Sequence, residues 1–155
     1  MIITEVSGKR VIPVIVQRVE PSDFKGITKK QFFFRWDQLK DEADIYKLTF
    51  TDNPAILGLV GLIDVASEHR TAIKLLAVSK ETMGSGKQYE GIAGCLIAYT
   101  AREALKKYGG LAAVSLKPKT EIRQHYINKY GMKPAGQQVY LDGQELFDLI
   151  NTYEI

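Results

Sequence analysis

The residues best suited to chemistry lie in the segment Gln88–Ala93, which matches the pattern Q/R-x-x-G-x-G/A. The segment follows Thr71–Val78, an apolar stretch that predicts a buried strand, and opens Ile92–Tyr108, whose apolar residues recur at helical spacing. A helix begins with unpaired backbone N–H groups and the positive end of its dipole, so its first turn attracts phosphate. The small residues Gly91, Ala93 and Gly94 leave room for a phosphate to come close to those groups. The segment therefore predicts a phosphate-binding turn.

The two commonest phosphate motifs do not describe this segment. A Walker A loop ends in Gly-Lys followed by Ser or Thr, which is missing here. The dinucleotide fingerprint G-x-G-x-x-G is also missing, and no acidic ribose-binding residue follows at the expected distance. The pattern fits a plain turn into a helix as well, so the segment alone does not decide between the two interpretations.

Strand and helix patterns alternate along the rest of the chain, separated by turn residues such as Gly, Pro, Asn and Asp. The predicted strands are Val11–Val19, Ile45–Thr51, Ala55–Val65, Thr71–Val78, Leu111–Leu116 and Gln137–Leu141. The predicted helices are Lys29–Glu42 capped by Thr28, Ile92–Tyr108, Thr120–Tyr130 capped by Thr120, and Glu145–Tyr153, with a polar loop at Ser79–Gln88. This order predicts an α/β fold, a mixed sheet with helices on both faces, in one domain over residues 1–155.

Two details of these elements carry expectations of their own. Pro13 lies inside the first predicted strand and is typical of an edge strand. Phe32, Phe33, Trp36 and Leu39 recur at helical spacing, and this cluster is expected in the core or in the wall of a pocket.

Composition excludes several classes of protein. With 155 residues, 45% hydrophobic and 25% charged, the chain suits one ordinary globular domain. No apolar run approaches the ~20 residues of a membrane span, and the N-terminus carries no apolar segment typical of a secretory signal. One cysteine and two histidines allow neither an internal disulfide nor a Cys/His zinc site, so we expect no metal and a cytoplasmic location. Cys95 is interpreted as a buried packing residue.

The net charge of +3 is mild, and it would suit a protein that holds a polyanionic cofactor without requiring one. A basic protein associated with nucleic acid is a hypothesis of a different class. The sequence contains no basic tail, zinc finger or aromatic RNA-binding motif, so nucleic acid is not the expected partner.

The order of the motifs resembles that of the GNAT (Gcn5-related) N-acetyltransferases. The resemblance covers Ala55–Val139 and includes the strand end Leu75–Lys80, the Gln88–Ala93 loop with its long helix, the strand Val114–Leu116 and the segment His125–Met132. The last of these is similar to the family's aromatic-Tyr-x-x-x-Gly-aromatic signature, with four residues instead of three between Tyr126 and Gly131. It implies the GNAT acyl-CoA N-acyltransferase fold and direct transfer of an acetyl group from acetyl-CoA, as co-substrate, to an amine.

The resemblance leaves the acceptor open as a small-molecule or a protein amine. It implies no membrane partner, and a homodimer is also left open. The alternative on the same fold is a module that binds acyl-CoA or another partner without catalysis.

The resemblance also implies a set of site residues. In that family two parallel strands, here Thr71–Val78 and Leu111–Leu116, splay apart, and the pantetheine arm pairs with the main chain of the first. Cofactor contacts are implied for Ala77, Val78, Gln88, Tyr89, Glu90, Gly91, Ile92, Ala93, Gly94 and Lys119. Tyr126 matches the family's tyrosine near the sulfur, which is the candidate for protonating the leaving thiolate.

Two departures from the family pattern affect this assignment. Lys119 replaces an asparagine that bonds the pantetheine in many relatives, and it is expected either to approach the cofactor phosphates or to lie solvated in a loop. The start of the strand at Thr71 lacks the glutamate that several relatives use as a general base. The base could then be Asp64, Glu68, His69, a water chain or nothing, and the missing glutamate favours the non-catalytic alternative. The predicted helix containing Phe32 and Trp36 is expected to line the acceptor side.

Overall fold

The structure is a computed structural model that describes residues 1–82 and 86–154, so part of the polar loop predicted at Ser79–Gln88 lies outside the described residues. One mixed sheet joins nine strands in the order β6-β1-β2-β3-β4-β5-β7-β9-β8. The strands are β1 Ile2–Glu5, β2 Val11–Arg18, β3 Asp44–Phe50, β4 Asn53–Val65, β5 Arg70–Val78, β6 Tyr89–Glu90, β7 Ala113–Leu116, β8 Lys133–Ala135 and β9 Gln138–Asp142. The helices are α1 Lys29–Phe32, α2 Ile92–Tyr108, α3 Arg123–Tyr130 and α4 Gly143–Tyr153.

The core lies on both faces of this sheet. On one face α2 packs across β4, β5 and β7, and α4 packs against α2. On the other face the irregular segment 21–39 buries Phe32 and Trp36 against Leu59 and Ala77. This arrangement confirms the predicted mixed sheet with helices on both faces. The predicted bounds of α2 are also those observed, with Gly91 before its first residue and Gly109 after its last.

The pairing of β5 with β7 is parallel and short. It runs from Arg70 opposite Ala113 to Ile73 opposite Leu116, where β7 ends. On the other edge of β5, Ile73 lies opposite Leu62 and Leu75 opposite Gly61, so Lys74 is an extra residue in a β-bulge. A bulge bends its strand. From Lys74 to Val78 the edge of β5 that faces β7 therefore runs beyond the end of β7, which agrees with the predicted splay.

The helix predicted at Lys29–Glu42 is wrong. Thr28 does cap a helix, with its hydroxyl accepting a hydrogen bond from the Gln31 N–H at 3.2 Å, but α1 contains only four residues. The Phe32 carbonyl accepts a hydrogen bond from the indole N–H of Trp36 at 3.1 Å, which replaces the backbone bond that a continuing helix would make. Phe33 adopts a left-handed conformation with φ 74°, and the chain continues as a 3-10 turn at Trp36–Gln38. The free energy gained by burying the two aromatic rings thus outweighs the local preference for a helix that their spacing indicates.

Three short strands, β1, β6 and β8, were not predicted, and one of them, β1, pairs with the first predicted strand. β2 is not an edge strand, because β1 pairs with its first half and β3 with its second half. Pro13 is the last residue of β2 that pairs with β1, and the pairing with β3 starts at the next residue. The missing N–H of Pro13 therefore costs no bond to β3.

The predicted cap at Thr120 is also wrong. Thr120 starts a 3-10 turn, its side chain makes no capping hydrogen bond, and α3 begins only at Arg123. The end of α3 is as predicted, because Gly131 takes the left-handed conformation, with φ 72°, that closes the helix. Among residues 1–82 and 86–154, no helix is both long and apolar enough to cross a membrane.

Candidate functional site

The open edge of β5 presents main-chain groups at two alternate residues. The Ser79 N–H donates a hydrogen bond to the Leu57 carbonyl at 3.0 Å, which continues the ladder with β4. Hydrogen-bonded and non-hydrogen-bonded pairs alternate along an antiparallel ladder, so Val78 and Leu76 direct their N–H and C=O groups away from β4. Ala77 directs its own groups into the ladder. The expectation that Ala77 offers its main chain is thus corrected to Leu76, whereas Val78 faces the gap as expected.

The segment Gln88–Ala93 enters α2 through a left-handed glycine. Gly91 has φ 102°, and its carbonyl accepts the first helical bond, from Cys95 N–H at 2.8 Å. The N–H groups of Ile92, Ala93 and Gly94 precede that bond and have no helical acceptor. These are the groups that the sequence predicts for phosphate binding.

The residues before Gly91 are fixed by the N-terminal strand. Tyr89 and Glu90 form β6 and pair with Glu5 and Thr4 of β1. The Gln88 carbonyl accepts a hydrogen bond from Val6 N–H at 2.8 Å. Part of the segment Gln88–Ala93 therefore forms a short strand, β6, directly before α2.

Gly94 has a packing role that the sequence did not reveal. A Cβ placed on Gly94 would lie 2.1 Å from the ring and hydroxyl of Tyr153, so no side chain fits there unless Tyr153 moves. Tyr153 belongs to the end of α4, and the next residue, Glu154, forms an ion pair with Arg102 of α2 at 3.0 Å. The room that Gly94 was expected to leave for a phosphate is thus occupied by the ring of Tyr153, which corrects that part of the prediction.

A cavity of about 210 Å³ lies beside Gly91 and brings Lys129 into the site. Its wall combines β1 residues with Glu90, Gly91, Lys129 and Tyr153. Lys129 was missed in the sequence, although it lies three residues after Tyr126, a spacing that places both on one side of α3. Its ammonium adds positive charge where the N-terminus of α2 already favours an anion.

Tyr126 lies on α3, packed against the core on the α2 face of the sheet. Its ring centroid is 5.8 Å from that of Tyr130 and 5.8 Å from that of His125. Burial raises the pKa of Tyr126, so its hydroxyl stays protonated at neutral pH and able to donate a proton. Lys119 is exposed and precedes the 3-10 turn that follows β7.

The three side chains predicted as alternative bases lie at the other end of β5. Asp64 accepts a hydrogen bond from the Tyr108 hydroxyl at 2.5 Å, Glu68 pairs with Arg70, and His69 lies in the turn before β5. A strand rises about 3.3 Å per residue, so the eight steps from Arg70 to Val78 cover about 26 Å. The three side chains thus lie toward the start of β5, where it still pairs with β7, and Asp64 and Glu68 already have partners there.

Cys95 is a packing residue, as expected. The side chain is buried, and its thiol donates a hydrogen bond to the Ile2 carbonyl at 3.0 Å. Burial raises the pKa of Cys95 to about 12, which leaves almost no thiolate at neutral pH. A covalent intermediate on this thiol is therefore not expected.

Several solved structures have the same arrangement of elements. The AtaT toxin, as a mutant bound to the C-terminus of the antitoxin AtaR and acetyl-CoA, aligns over 90% of this chain and 99% of its own, with 11% identity and a TM-score of 0.62. A mutant SpeG spermidine N-acetyltransferase from Vibrio cholerae aligns over 91% and 98%, with 13% identity and a TM-score of 0.61. A GNAT family acetyltransferase from Elizabethkingia anophelis with acetyl-CoA bound aligns over 84% and 98%, with 14% identity and a TM-score of 0.57. No model of a known protein family matches the sequence, and no curated protein matches it either.

Proposed function

Because the chain has the fold of the GNAT acyltransferases, we propose that it is an N-acetyltransferase that moves an acetyl group from acetyl-CoA directly to an amine. The observation that carries this proposal is the open edge of β5, whose last residue, Val78, pairs with Gly58, and Gly58 lies against Ile92, the first residue of α2. A main-chain edge beside a row of free helix N–H groups suits a molecule that has amide groups at one end and phosphates at the other. Acetyl-CoA has both, and it supplies an acetyl group activated as a thioester.

Each part of the site then has a task. The main-chain groups of Val78 and Leu76 would pair with the amide-containing arm. The N–H groups of Ile92, Ala93 and Gly94 would bind the phosphates, with the positive charge of Lys129 beside them. Gln88, Tyr89, Glu90 and Gly91 would shape this turn, and Lys119 would approach the same phosphates from the end of β7.

The chemistry requires no covalent intermediate on the protein. The amine nitrogen forms a bond to the thioester carbonyl carbon, the carbon–sulfur bond breaks, and the sulfur takes a proton. Tyr126 is the proposed donor of that proton, because the family resemblance assigns that role to it and its hydroxyl is protonated at neutral pH. Holding the amine and the thioester together contributes to the rate by removing the entropy of their encounter. We place this activity in the cytoplasm, where acetyl-CoA is available to a protein with one buried thiol.

Acetyl-CoA binding, measured by calorimetry, tests the cofactor site. Lys129→Ala should weaken binding about tenfold, because a hydrogen bond to a charged phosphate contributes about 1.5 kcal/mol. The matched control is Lys106→Ala, which removes an exposed lysine paired with Glu103 near the far end of α2. Equal affinities of the two variants would exclude Lys129 from the site, and absence of acetyl-CoA binding to the unchanged protein would overturn the proposal.

Thiol release tests the reaction itself. We expect free CoA to appear when the protein is mixed with acetyl-CoA and a suitable amine from a panel of small amines and peptides. The second candidate function is an acyl-CoA-binding module without catalysis, which is favoured by the partners that Asp64 and Glu68 already have at the start of β5. Tight acetyl-CoA binding without thiol release from any amine would support that alternative.

A further inference from the structure

Helices α2 and α4 pack side by side and run in opposite directions. α4 starts directly after Asp142, which pairs with Ala113 at the beginning of β7, and it ends at Tyr153, beside Gly94 in the first turn of α2. The last carbonyls of a helix carry the negative end of its dipole, and its first N–H groups carry the positive end. The packing therefore brings the negative end of α4 close to the positive end of α2, which is the end expected to bind phosphate.

The ring of Tyr153 lies against the glycines of this turn. A Cβ on Gly91 would lie 3.2 Å from the ring atom Cε1, and a Cβ on Gly94 would lie 2.1 Å from the hydroxyl oxygen. The same ring packs against the main core and forms part of the wall of the 210 Å³ cavity that contains Lys129. A phosphate that approached this side of the turn would meet the ring.

An ion pair holds the end of α4 in place. Glu154, the residue after α4, accepts a hydrogen bond from the Arg102 guanidinium of α2 at 3.0 Å, and the two side chains are 34% and 36% exposed. Ion pairs with this much exposure contribute little to stability. The end of α4 can therefore leave α2 without a large loss of free energy from this pair.

We propose that the last turn of α4 is an autoinhibitory latch, formed by Tyr153 and Glu154, which competes with the cofactor phosphates for the first turn of α2. This inference rests on the function proposed above. In the docked state the ring covers Gly91 and Gly94, and the negative end of α4 offsets the positive end of α2. Acetyl-CoA binds the released state, so its affinity is set by the fraction of molecules in which the latch is released.

Tyr153→Ala removes the ring and tests the latch directly. Acetyl-CoA should bind about tenfold more tightly in calorimetry, the gain when the released fraction rises from about a tenth to nearly all molecules. Rapid-mixing kinetics should assign this gain to faster association with unchanged dissociation, because the latch acts only before the cofactor binds. The free energy of unfolding in urea should fall at the same time, since packing is lost. A residue that only supports the site would instead lose stability and affinity together.

Two further variants and a second probe complete the test. Phe147→Ala is the matched control, because it removes an aromatic ring of α4 that is 43% exposed, and it should leave acetyl-CoA binding unchanged. Glu154→Gln should tighten binding about twofold, and since it breaks only a partly exposed ion pair, it decides the question if Tyr153→Ala does not fold. S-acetylpantetheine has the amide arm and the thioester but no phosphates, so it should bind all four proteins equally. Gly94→Ala cannot replace these variants, because its own methyl group fills the room that Tyr153 would leave.

The latch and the proposed function fail in different ways. Absence of acetyl-CoA binding to the unchanged protein would overturn the proposed function and this inference with it. If the unchanged protein binds acetyl-CoA, but Tyr153→Ala and Glu154→Gln bind it equally or more weakly, the acetyltransferase stands and the latch is wrong. The latch is also wrong if S-acetylpantetheine gains as much affinity as acetyl-CoA, or if the gain comes from slower dissociation.

Discussion

The two ends of β5 have opposite characters. At its start, Arg70–Ile73 has a strand on both edges, and the charged side chains there bind one another. The Arg70 guanidinium donates to the Ser115 hydroxyl at 2.7 Å and pairs with Glu68. At its end, Leu76 and Val78 have a strand partner on one edge only among the described residues. Ile92, the first residue of α2, lies against Gly58, which pairs with Val78. We call the start of β5 its closed end, because both of its edges have a strand partner. We call the other its open end, because one of its edges has no strand partner among the described residues.

This difference shows which polar residues are available for chemistry. A side chain that already has its hydrogen-bond partner contributes to the fold, and using it elsewhere would leave its partner unpaired. Asp64 and Glu68 belong to that group. The open end instead offers the main-chain groups of Leu76 and Val78 and the N-terminus of α2. Variants at the closed end should therefore alter stability, and variants at the open end should alter binding or turnover.

The largest expected effect on stability comes from filling the first turn of α2. Replacing glycine by alanine inside a helix usually stabilises it by about 1 kcal/mol. At Gly94 the new Cβ would lie 2.1 Å from Tyr153, and overpacking of this kind costs about 1–3 kcal/mol. We expect Gly94→Ala to lower the free energy of unfolding in urea by about 2 kcal/mol, with weaker acetyl-CoA binding.

Gly110→Ala is the matched control, at the other end of α2, where a Cβ meets no atom within 4 Å. Its free energy of unfolding should stay within about 0.5 kcal/mol of the original. Adding Tyr153→Ala to Gly94→Ala should remove most of the clash, so the two changes should be strongly non-additive. Additive effects of the two changes would contradict the contact between Gly94 and Tyr153.

The next effect concerns the proposed proton donor. Tyr126→Phe should lower kcat about a hundredfold, the usual range for loss of a general acid. Because burial raises the pKa of Tyr126, the hydroxyl remains a donor above the ordinary tyrosine value of about 10, and activity should fall only beyond it. The high-pH decline should be missing from the pH profile of Tyr126→Phe.

Tyr108→Phe provides the comparison at the closed end. It removes the hydroxyl that donates to Asp64, and because this hydrogen bond is exposed, it should lower stability only slightly without changing kcat. An equal loss of kcat in Tyr108→Phe and Tyr126→Phe would contradict the assignment of the acid to the open end.

The elements predicted most accurately are those whose local residue pattern determines where they begin and end. Both bounds of α2 were predicted, because seventeen residues with helical periodicity lie between Gly91 and Gly109. The strands β1 and β6 were missed because they contain four and two residues, and each is defined by pairing with a distant partner. The aromatic residues Phe32 and Trp36 have helical spacing, but their burial against Leu59 and Ala77 decides the local fold.

Only part of the candidate site was predicted, because some of its contacts join residues that are far apart in the sequence. The pattern at Gln88–Ala93 marks the start of α2, but the contact of Tyr153 with Gly94 joins residues 59 positions apart and leaves no local signal. Asp64 and His69 are adjacent to β5 in sequence, which made them candidates for the base. Only the register with β7 shows that the gap opens at the opposite end of that strand.

We expect the smallest change in turnover from variants of the candidate bases near the start of β5. Glu68→Gln and His69→Ala change two of the three candidate bases, and both lie about 26 Å of strand away from Val78. A general base contributes at least about a hundredfold to the rate, so unchanged kcat values across the pH range would exclude both residues. We expect a change of less than twofold in kcat for each variant. Glu68→Gln should cost at most about 1 kcal/mol in unfolding, since its ion pair with Arg70 is half exposed. A hundredfold loss of kcat in either variant, with stability retained, would instead move the reaction to the closed end of β5.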